Sequence, residues 1–145
     1  MIALSDLAVG DSLAPLELPP VTRAQLALFA GASGDHNPIH IDIDYARSVG
    51  QDDVFAHGML VMAELGRLVT SAVPIGALRS FSARFAAITR VHDTLTCRGT
   101  VGAIGEVAGE RRATFDLSVT DQAGEIKLVG TAVVALPSPH GSDVS

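Results

Sequence analysis

Two titratable side chains, Asp35 and His40, lie five residues apart in a segment that reads Gly-Asp-His-Asn-Pro-Ile-His from residue 34 to residue 40. Pro38 fixes its own φ and disfavours helical geometry at Asn37, so we expect the segment to hold one shape. A carboxylate and an imidazole held together can act as general base and general acid. The pattern predicts proton-transfer chemistry, although a turn-capping aspartate beside a solvated histidine is more often the explanation of such a pair.

A second candidate segment contains His57 and Gly58, which open a helix predicted from about residue 57 to residue 72, before Pro74. The free backbone N–H groups at a helix N-terminus favour negative charge. Because glycine has no Cβ, a ligand oxygen can approach the Gly58 N–H closely. The alternative is that His57 is simply a residue at a helix start and that Gly58 is a packing glycine.

The elements that must position these residues begin with a helix that Thr22 caps and that Gly31 and Gly34 end. Residues 33–55 then form a long loop with one short helix, which Asp44 is expected to cap. Loops of this length inside a compact domain are usually functional.

The helix at residues 57–72 is apolar on almost every side, with a thin polar stripe at Glu64, Arg67 and Ser71. Such a helix must be wrapped by other elements. The C-terminal half supplies them as strands near residues 78–89 and 94–104, followed by a hairpin. The expected order is that of an antiparallel meander, and the fold class is α+β, with the sheet curled around one long buried helix.

Alternation of polar and apolar residues gives the predicted hairpin one solvated face. Lys127 is assigned to that face. The residues assigned to the core face are Ala113, Phe115, Leu117, Val119, Ile126, Leu128, Gly130, Ala132 and Val134. Residues 1–136 are expected to form a single domain, and the proline-punctuated residues 137–145 a disordered tail.

Composition excludes several classes of function. A net charge of −6 argues against a nucleic-acid partner. A single cysteine, Cys97, excludes an internal disulfide and fits a cytoplasmic location, and its place on a predicted strand indicates a core residue. The N-terminus lacks a basic, apolar leader, and no apolar stretch is long enough to span a membrane.

Other chemistries fail on residue types. The group Asp35, His36, His40 and Asp42 resembles a metal-ligand set, but Pro38 disrupts the helix that would turn both histidines one way. The chain also lacks a Gly-x-Ser-x-Gly nucleophile elbow and a phosphate-binding loop. We therefore predict no metal ion.

The pattern Gly34-Asp35-x-Asn37-Pro38-Ile39-His40-x-Asp42, followed by Phe-Ala-His-Gly-Met-Leu at residues 55–60, resembles the signature of MaoC-like dehydratases. This is the family of (R)-specific enoyl-CoA hydratases. The similarity extends weakly across most of the chain, from an entry strand at Val9-Gly10-Asp11 to the final hairpin. It implies a hot-dog fold and reversible hydration of trans-2-enoyl thioesters to (R)-3-hydroxyacyl thioesters in fatty acid metabolism.

The resemblance also implies roles for individual residues. Asp35 and His40 would be catalytic, Asn37 would help to hold the water, and the Gly58 N–H would bind the thioester oxygen. His57 is assigned with Asn37 and Gly58 to substrate binding. No cofactor is required.

The implied substrate is an acyl-CoA or an acyl-carrier-protein thioester, with Arg84, Arg90 and Arg111 as candidate phosphate ligands. The implied assembly is a homodimer, or a heterodimer with a related subunit. Two departures from the family pattern are Ala63, where some relatives have serine, and His92-Asp93, where many have Gly-Asp. Two other functions stay open: a hot-dog thioesterase, and a non-catalytic acyl-CoA-binding or partner subunit.

Overall fold

The computed structural model describes residues 3–138, and its elements follow the predicted order of helices and strands. Short 3₁₀ turns occur at Leu4–Asp6, Pro38–His40 and Ile75–Ala77. The helices and strands are α1 (Arg23–Ser33), α2 (Ile43–Ser48), α3 (Gly58–Ala72), β1 (Leu16–Glu17), β2 (Leu78–Phe85), β3 (Thr96–Val107), β4 (Glu110–Thr120) and β5 (Ile126–Ala135).

A single antiparallel sheet, in the order β1-β3-β4-β5-β2, packs against α3. The helix packs against strands β2 to β5. Leu65 and Val69 of α3 are buried with Phe115 and Leu128 of the sheet, and this apolar contact forms the core. The predicted α+β architecture, with a sheet around one helix, is confirmed.

One side of α3 stays uncovered, although its almost entirely apolar surface predicts that other elements wrap it. Met59 is 58% exposed. One curled sheet reaches only one side of a helix, so the opposite side faces solvent in a single chain. We call this surface the α3 stripe; it consists of exposed or half-buried residues at helical spacing, namely Met59, Met62, Ala63, Gly66 and Thr70.

The predicted meander is wrong for β2, which pairs with β5 at one edge of the sheet and not with β3. The strand ends at Phe85 and not near residue 89, because the N–H groups of Ala86 and Ala87 both donate to the Lys127 carbonyl. The chain then crosses the end of the sheet to reach β3. On the way, the Thr89 carbonyl accepts a hydrogen bond from the Ala56 N–H, so the crossing segment braces the start of α3.

The expected entry strand at Val9-Gly10-Asp11 forms only in part. Val9 and Gly10 form a turn, with Gly10 at φ 96°, but the Gly10 N–H and the Asp11 carbonyl are both hydrogen-bonded to Val101 of β3. The first regular strand is β1 at Leu16–Glu17. His92 occupies the glycine position of the Gly-Asp pair that is common in relatives, and its φ is 75°. A left-handed backbone at that turn explains why glycine is common there.

Alternation along β4 is as predicted, but the start of β5 is not. Ile126 is 48% exposed and Lys127 only 4%. Val119 pairs with Leu128 and Thr120 with Ile126, so Lys127 is an extra residue, a bulge that inverts the faces at this point. The Lys127 ammonium donates to the Ile88 carbonyl and is surrounded by the carboxylates of Asp93, Asp121 and Glu125.

Residues 3–136 contribute to one sheet and one core. Pro137 and Ser138 lie outside the strands, and the remainder of the predicted tail, residues 139–145, lies outside the described residues. None of the helices in residues 3–138 has the length and hydrophobicity that crossing a bilayer requires.

Candidate active site

The ends of α1 and α2 fix the loop that carries the predicted pair. Thr22 caps α1 as expected, but Gly31 lies within the helix, which ends at Gly34 with φ 77°. The α2 cap is Asp42, whose Oδ1 accepts from the backbone N–H groups of Asp44 and Tyr45, and not Asp44 as predicted. Asp44 already lies in the first helical turn, so its own N–H needs the partner that Asp42 supplies.

Between these helices the loop is braced by its own side chains. Ser33 Oγ accepts from the Asp35 N–H at 3.1 Å. Asp35 Oδ1 accepts from the Asn37 N–H at 3.3 Å, and Asn37 Oδ1 accepts from the Ile39 N–H at 3.1 Å. Asp35 therefore does cap a turn. Its other carboxylate oxygen, Oδ2, points toward His40.

His40 is held with one ring nitrogen bound and the other facing Asp35. Nδ1 lies 2.8 Å from the carbonyl oxygen of Phe55. A carbonyl only accepts, so Nδ1 must carry a proton, and Nε2 is the nitrogen that can exchange one. Nε2 lies 4.0 Å from Asp35 Oδ2. That separation is longer than a direct hydrogen bond and suits two groups that act on one molecule between them.

His57 lies behind this pair and is fully buried. Its Nε2 is 3.2 Å from the Asp35 carbonyl oxygen, and its ring stacks on that of His40 with centroids 4.0 Å apart. Phe29 of α1 meets the same ring edge-on at 4.8 Å. Burial lowers the pKa of the His57 imidazole, and the neighbouring His40 lowers it further. The ring predicted to bind substrate therefore has no exposed surface in the chain.

Gly58 is the first residue of α3. Within residues 3–138, neither its N–H nor that of Met59 has a hydrogen-bond acceptor. A Cβ at Gly58 would lie 2.9 Å from Cε1 of the Phe85 ring. The absence of a side chain thus serves packing as well as access to the N–H group.

A cavity of about 330 Å³ opens beside Gly58. Neither Asp35 nor His40 lines it. The Phe55 ring, which meets His40 edge-on at 5.2 Å, forms a wall between the pair and the cavity. The lining of the cavity is mostly apolar and comprises Phe55, Ala56, Gly58, Val61, Phe85, Ala86, Ala87, Ile88, Thr89 and Lys127.

The candidate arginines are not equivalent. Arg84 and Arg90 flank cavity residues Phe85 and Thr89. Arg111 lies at the start of β4, at the opposite end of the sheet from the strand pair Phe85–Leu128. Ala63, the position of the missing serine, lies on the α3 stripe.

The structure brings together a group of potential metal ligands that differs from the set indicated by the sequence pattern. Asp35, His40 and His57 each place one potential ligand atom within 4.8 Å of the others. His36 and Asp42 are not part of that group. Because His57 Nε2 bonds the Asp35 carbonyl and His40 Nδ1 bonds Phe55, these rings are oriented mainly by hydrogen bonds within the protein.

Phe55 and Phe29 are the site residues that sequence reasoning missed. Phe55 acts mainly through its carbonyl, which every residue type possesses, so no residue pattern could have revealed it. The only available signal was the aromatic residue directly before Ala56-His57-Gly58.

A curled antiparallel sheet around a helix, with an Asp–His pair at the N-terminus of that helix, defines the class of hot-dog dehydratases. The family described as "MaoC like domain" matches residues 8–123. This chain belongs to that family, and the predicted hot-dog fold is confirmed.

Individual relatives agree. The (R)-specific enoyl-CoA hydratase of Rhodospirillum rubrum is 33% identical over 120 residues, which are 81% of each chain. The mitochondrial 3-hydroxyacyl-[acyl-carrier-protein] dehydratase of Arabidopsis thaliana is 26% identical over 91% of this chain and 79% of that protein. The solved (R)-hydratase of A. caviae, involved in PHA biosynthesis, superposes with a TM-score of 0.80 at 30% identity, over 91% of this chain and 98% of its own.

Proposed function

We propose that the chain is a hydro-lyase that reversibly hydrates trans-2-enoyl thioesters to (R)-3-hydroxyacyl thioesters in fatty acid metabolism. The observation that carries this proposal is the 4.0 Å approach of His40 Nε2 to Asp35 Oδ2. Gly58, at the start of α3, adds an N–H group that has no hydrogen-bond acceptor among residues 3–138. Family membership and the named hydratase relatives support the same reaction.

In the hydration direction, Asp35 takes a proton from water as the water oxygen bonds to Cβ. The electron pair of the Cα–Cβ double bond moves toward the thioester carbonyl, and His40 delivers its Nε2 proton to Cα. Water is thereby added to one face of the double bond. The Nδ1–H bond to Phe55 supports this role, because it is kept in both protonation states and leaves Nε2 as the exchanging atom.

Negative charge that builds on the thioester oxygen is stabilised by the Gly58 N–H, which gains strength as the charge develops. Asn37 uses its side-chain oxygen on the loop, so its amide NH₂ is the part that can hold the attacking water. This mechanism needs no metal ion and no redox cofactor.

The thioester handle in this proposal is CoA or the pantetheine of a carrier protein. Arg84 and Arg90 are nearer than Arg111 to the cavity beside Gly58, because each adjoins one of its lining residues in sequence, although neither arginine lines the cavity itself. A cytoplasmic location, as expected from the sequence, belongs to the same proposal.

The proposed assembly is a homodimer, with a related subunit in a heterodimer as the alternative. Two uncovered surfaces support it. The outer edge of β2 has no neighbouring strand among residues 3–138, and the α3 stripe beside it is largely apolar. Exposed strand edges and apolar helix faces are commonly covered by a second chain.

Incubation with crotonyl-CoA tests the proposed reaction. We expect loss of enoyl absorbance, no release of free thiol, and an (R)-3-hydroxy product by chiral analysis. Thiol release would identify a thioesterase instead, and binding without turnover would identify a non-catalytic acyl-CoA-binding subunit. An (S) product would mean that Asp35 and His40 are not the acid–base pair.

A further inference from the structure

His57 touches both members of the proposed acid–base pair but cannot itself reach a substrate. Its Nε2 is 3.2 Å from the main-chain carbonyl of Asp35. Its ring lies against the His40 ring, with centroids 4.0 Å apart and planes 28° from parallel. The side chain is fully buried, so these contacts within the protein are what the ring provides.

The contacts also determine which ring atom carries the proton. The Asp35 carbonyl accepts only, so His57 Nε2 must be the protonated nitrogen. Within residues 3–138, the buried Nδ1 of His57 has no hydrogen-bond partner. A second proton there would create a buried cation whose Nδ1–H has no acceptor among the described residues, which is costly.

The surroundings of His57 decide its charge. Phe29 packs on it from α1 and is uncharged. The titratable groups that face it are Asp35, through its carbonyl and its nearby charge, and His40, through its ring. In the proposed reaction the His40 ring must carry a proton on both nitrogens and is therefore charged. A second charged imidazole, with its ring centroid 4.0 Å away, would disfavour that charge.

We infer that His57 is an uncharged positioning residue, which ties the Asp35 main chain through Nε2–H and gives His40 a neutral ring to lie on. His57 fixes the distance between Asp35 and His40. As the residue before α3, it also fixes the position of Gly58, where the helix begins. This inference rests on the proposed function, because the pair that His57 positions is the proposed catalytic pair.

The state of the ring can be measured without turnover. Proton–nitrogen correlation spectra of protein labelled with ¹⁵N-histidine should show His57 as a neutral ring protonated on Nε2 at neutral pH. Its signals are identified as those absent from His57→Phe. A charged ring, or a proton on Nδ1, would overturn the inference.

Two variants separate the hydrogen bond from the packing. His57→Phe keeps an aromatic ring against His40 but loses the donor to Asp35, whereas His57→Gln keeps a donor and loses the ring. Misplacement of about 1 Å can cost roughly a hundredfold in rate. We therefore expect kcat to fall roughly 10- to 100-fold in His57→Phe, with KM for crotonyl-CoA within about twofold of the wild type.

His57→Gln should keep more activity than His57→Phe. The reverse order would show that the ring acts by packing alone, and a large rise in KM would show that it contacts substrate; both results contradict the inference. Val73→Ala, a core truncation at the other end of α3, controls for lost stability and should leave the ratio of kcat to KM near that of the wild type.

The proposed function can fail separately. A wild-type protein that does not hydrate crotonyl-CoA, yet has His57 neutral and protonated on Nε2, would reject the hydratase while supporting the arrangement of the three residues. An active wild-type enzyme with a charged His57 would support the hydratase and reject the inference.

Discussion

Phe55 holds His40 with its main chain and its side chain at once. The His40 Nδ1 donates to the Phe55 carbonyl at 2.8 Å, and the two rings meet edge-on at 5.2 Å. The tautomer of the proposed acid is therefore fixed by a residue from outside the loop that carries it. Because the same residue walls the cavity beside Gly58, movement of the cavity wall would also move His40.

Removal of proton exchange at either member of the pair should abolish most turnover and leave the fold intact. General acid–base groups contribute about 10²–10⁴-fold, so Asp35→Asn and His40→Gln should each lose at least roughly a hundredfold in kcat. The loop bonds of Asp35 can be kept by asparagine, so melting temperatures should change little. Steady-state assays and thermal denaturation measure the two effects.

His36→Gln is the matched control, since His36 is exposed in the same loop and belongs to no proposed role. It should retain near-normal kcat. Near-normal turnover in Asp35→Asn or His40→Gln would show that the altered residue is structural.

The double variant Asp35→Asn/His40→Gln should be hardly worse than the poorer single variant. Two groups that act on one water and one double bond form a unit, and the effects of such a unit are not additive. Assays at high enzyme concentration can measure the residual rates. Losses that multiply would indicate that the two residues act in separate steps.

Gly58→Ala should lower both activity and stability, for two separable reasons. The added Cβ meets the Phe85 ring at 2.9 Å and also narrows access to the Gly58 N–H. In the double variant Gly58→Ala/Phe85→Ala the clash is gone. Its melting temperature should therefore be higher than that of the single variant Gly58→Ala, whereas its kcat should stay as low. Recovery of turnover in the double variant would mean that glycine is required there for packing alone.

Acid should weaken the contact between β2 and β4. Hydrogen bonds from Arg79 and then Arg112 lower the pKa of Glu110 from 4.5 to about 2. Between those values the unfolded chain binds the proton and the folded chain does not, so this contribution to stability is complete above 4.5 and is lost as pH falls toward 2.

Glu110→Gln should therefore melt below the wild type at neutral pH, and the difference should vanish toward the acid end of that window. Glu106→Gln, at an exposed residue of β3 that forms no described ion pair, is the control. A difference for Glu110→Gln that stays constant with pH would contradict the assigned ion pairs.

Light scattering should give twice the mass of one chain. Ser82→Lys, at an exposed residue of β2, places a charge at the uncovered edge of the sheet. This variant should shift the protein toward the monomer. Ala103→Lys, on an exposed part of β3 at the other side of the sheet, should not. A stable, active monomer of the unaltered chain would reject the proposed dimer.

The features that sequence predicted well are those with a local cause. The ends of α3 follow from Gly58 and Pro74, and the core face of β4 follows from strict alternation. The errors have long-range causes. The bulge at Lys127 depends on carbonyl and carboxylate partners from other turns, and the place of β2 beside β5 depends on how residues 86–95 cross the sheet.

The candidate site shows the same division. Asp35 and His40 were predicted to lie together because their residue types can carry the chemistry and their spacing is short, and their side chains do approach to 4.0 Å. Neither the Phe55 carbonyl nor the buried stacking of His57 has a signature in residue order, because each depends on contacts across about 15 to 22 positions. The cap of α2 is a local feature, but Asp42 and Asp44 are both suitable capping residues, so Asp42 could be recognised as the cap only once the first helical residue was known.

Lys127 is the only lysine of the chain, and its ammonium is enclosed. Lysine-directed reagents thus meet no exposed side-chain amine on the described fold, so cross-linking the proposed dimer would use carboxylates instead. The same burial makes Lys127 a reporter, because we expect its amine to react faster when the turn at residues 121–125, which supplies the Asp121 and Glu125 carboxylates, opens. The rate at which an acylating reagent modifies Lys127 would therefore measure how often this end of the sheet opens in the native protein.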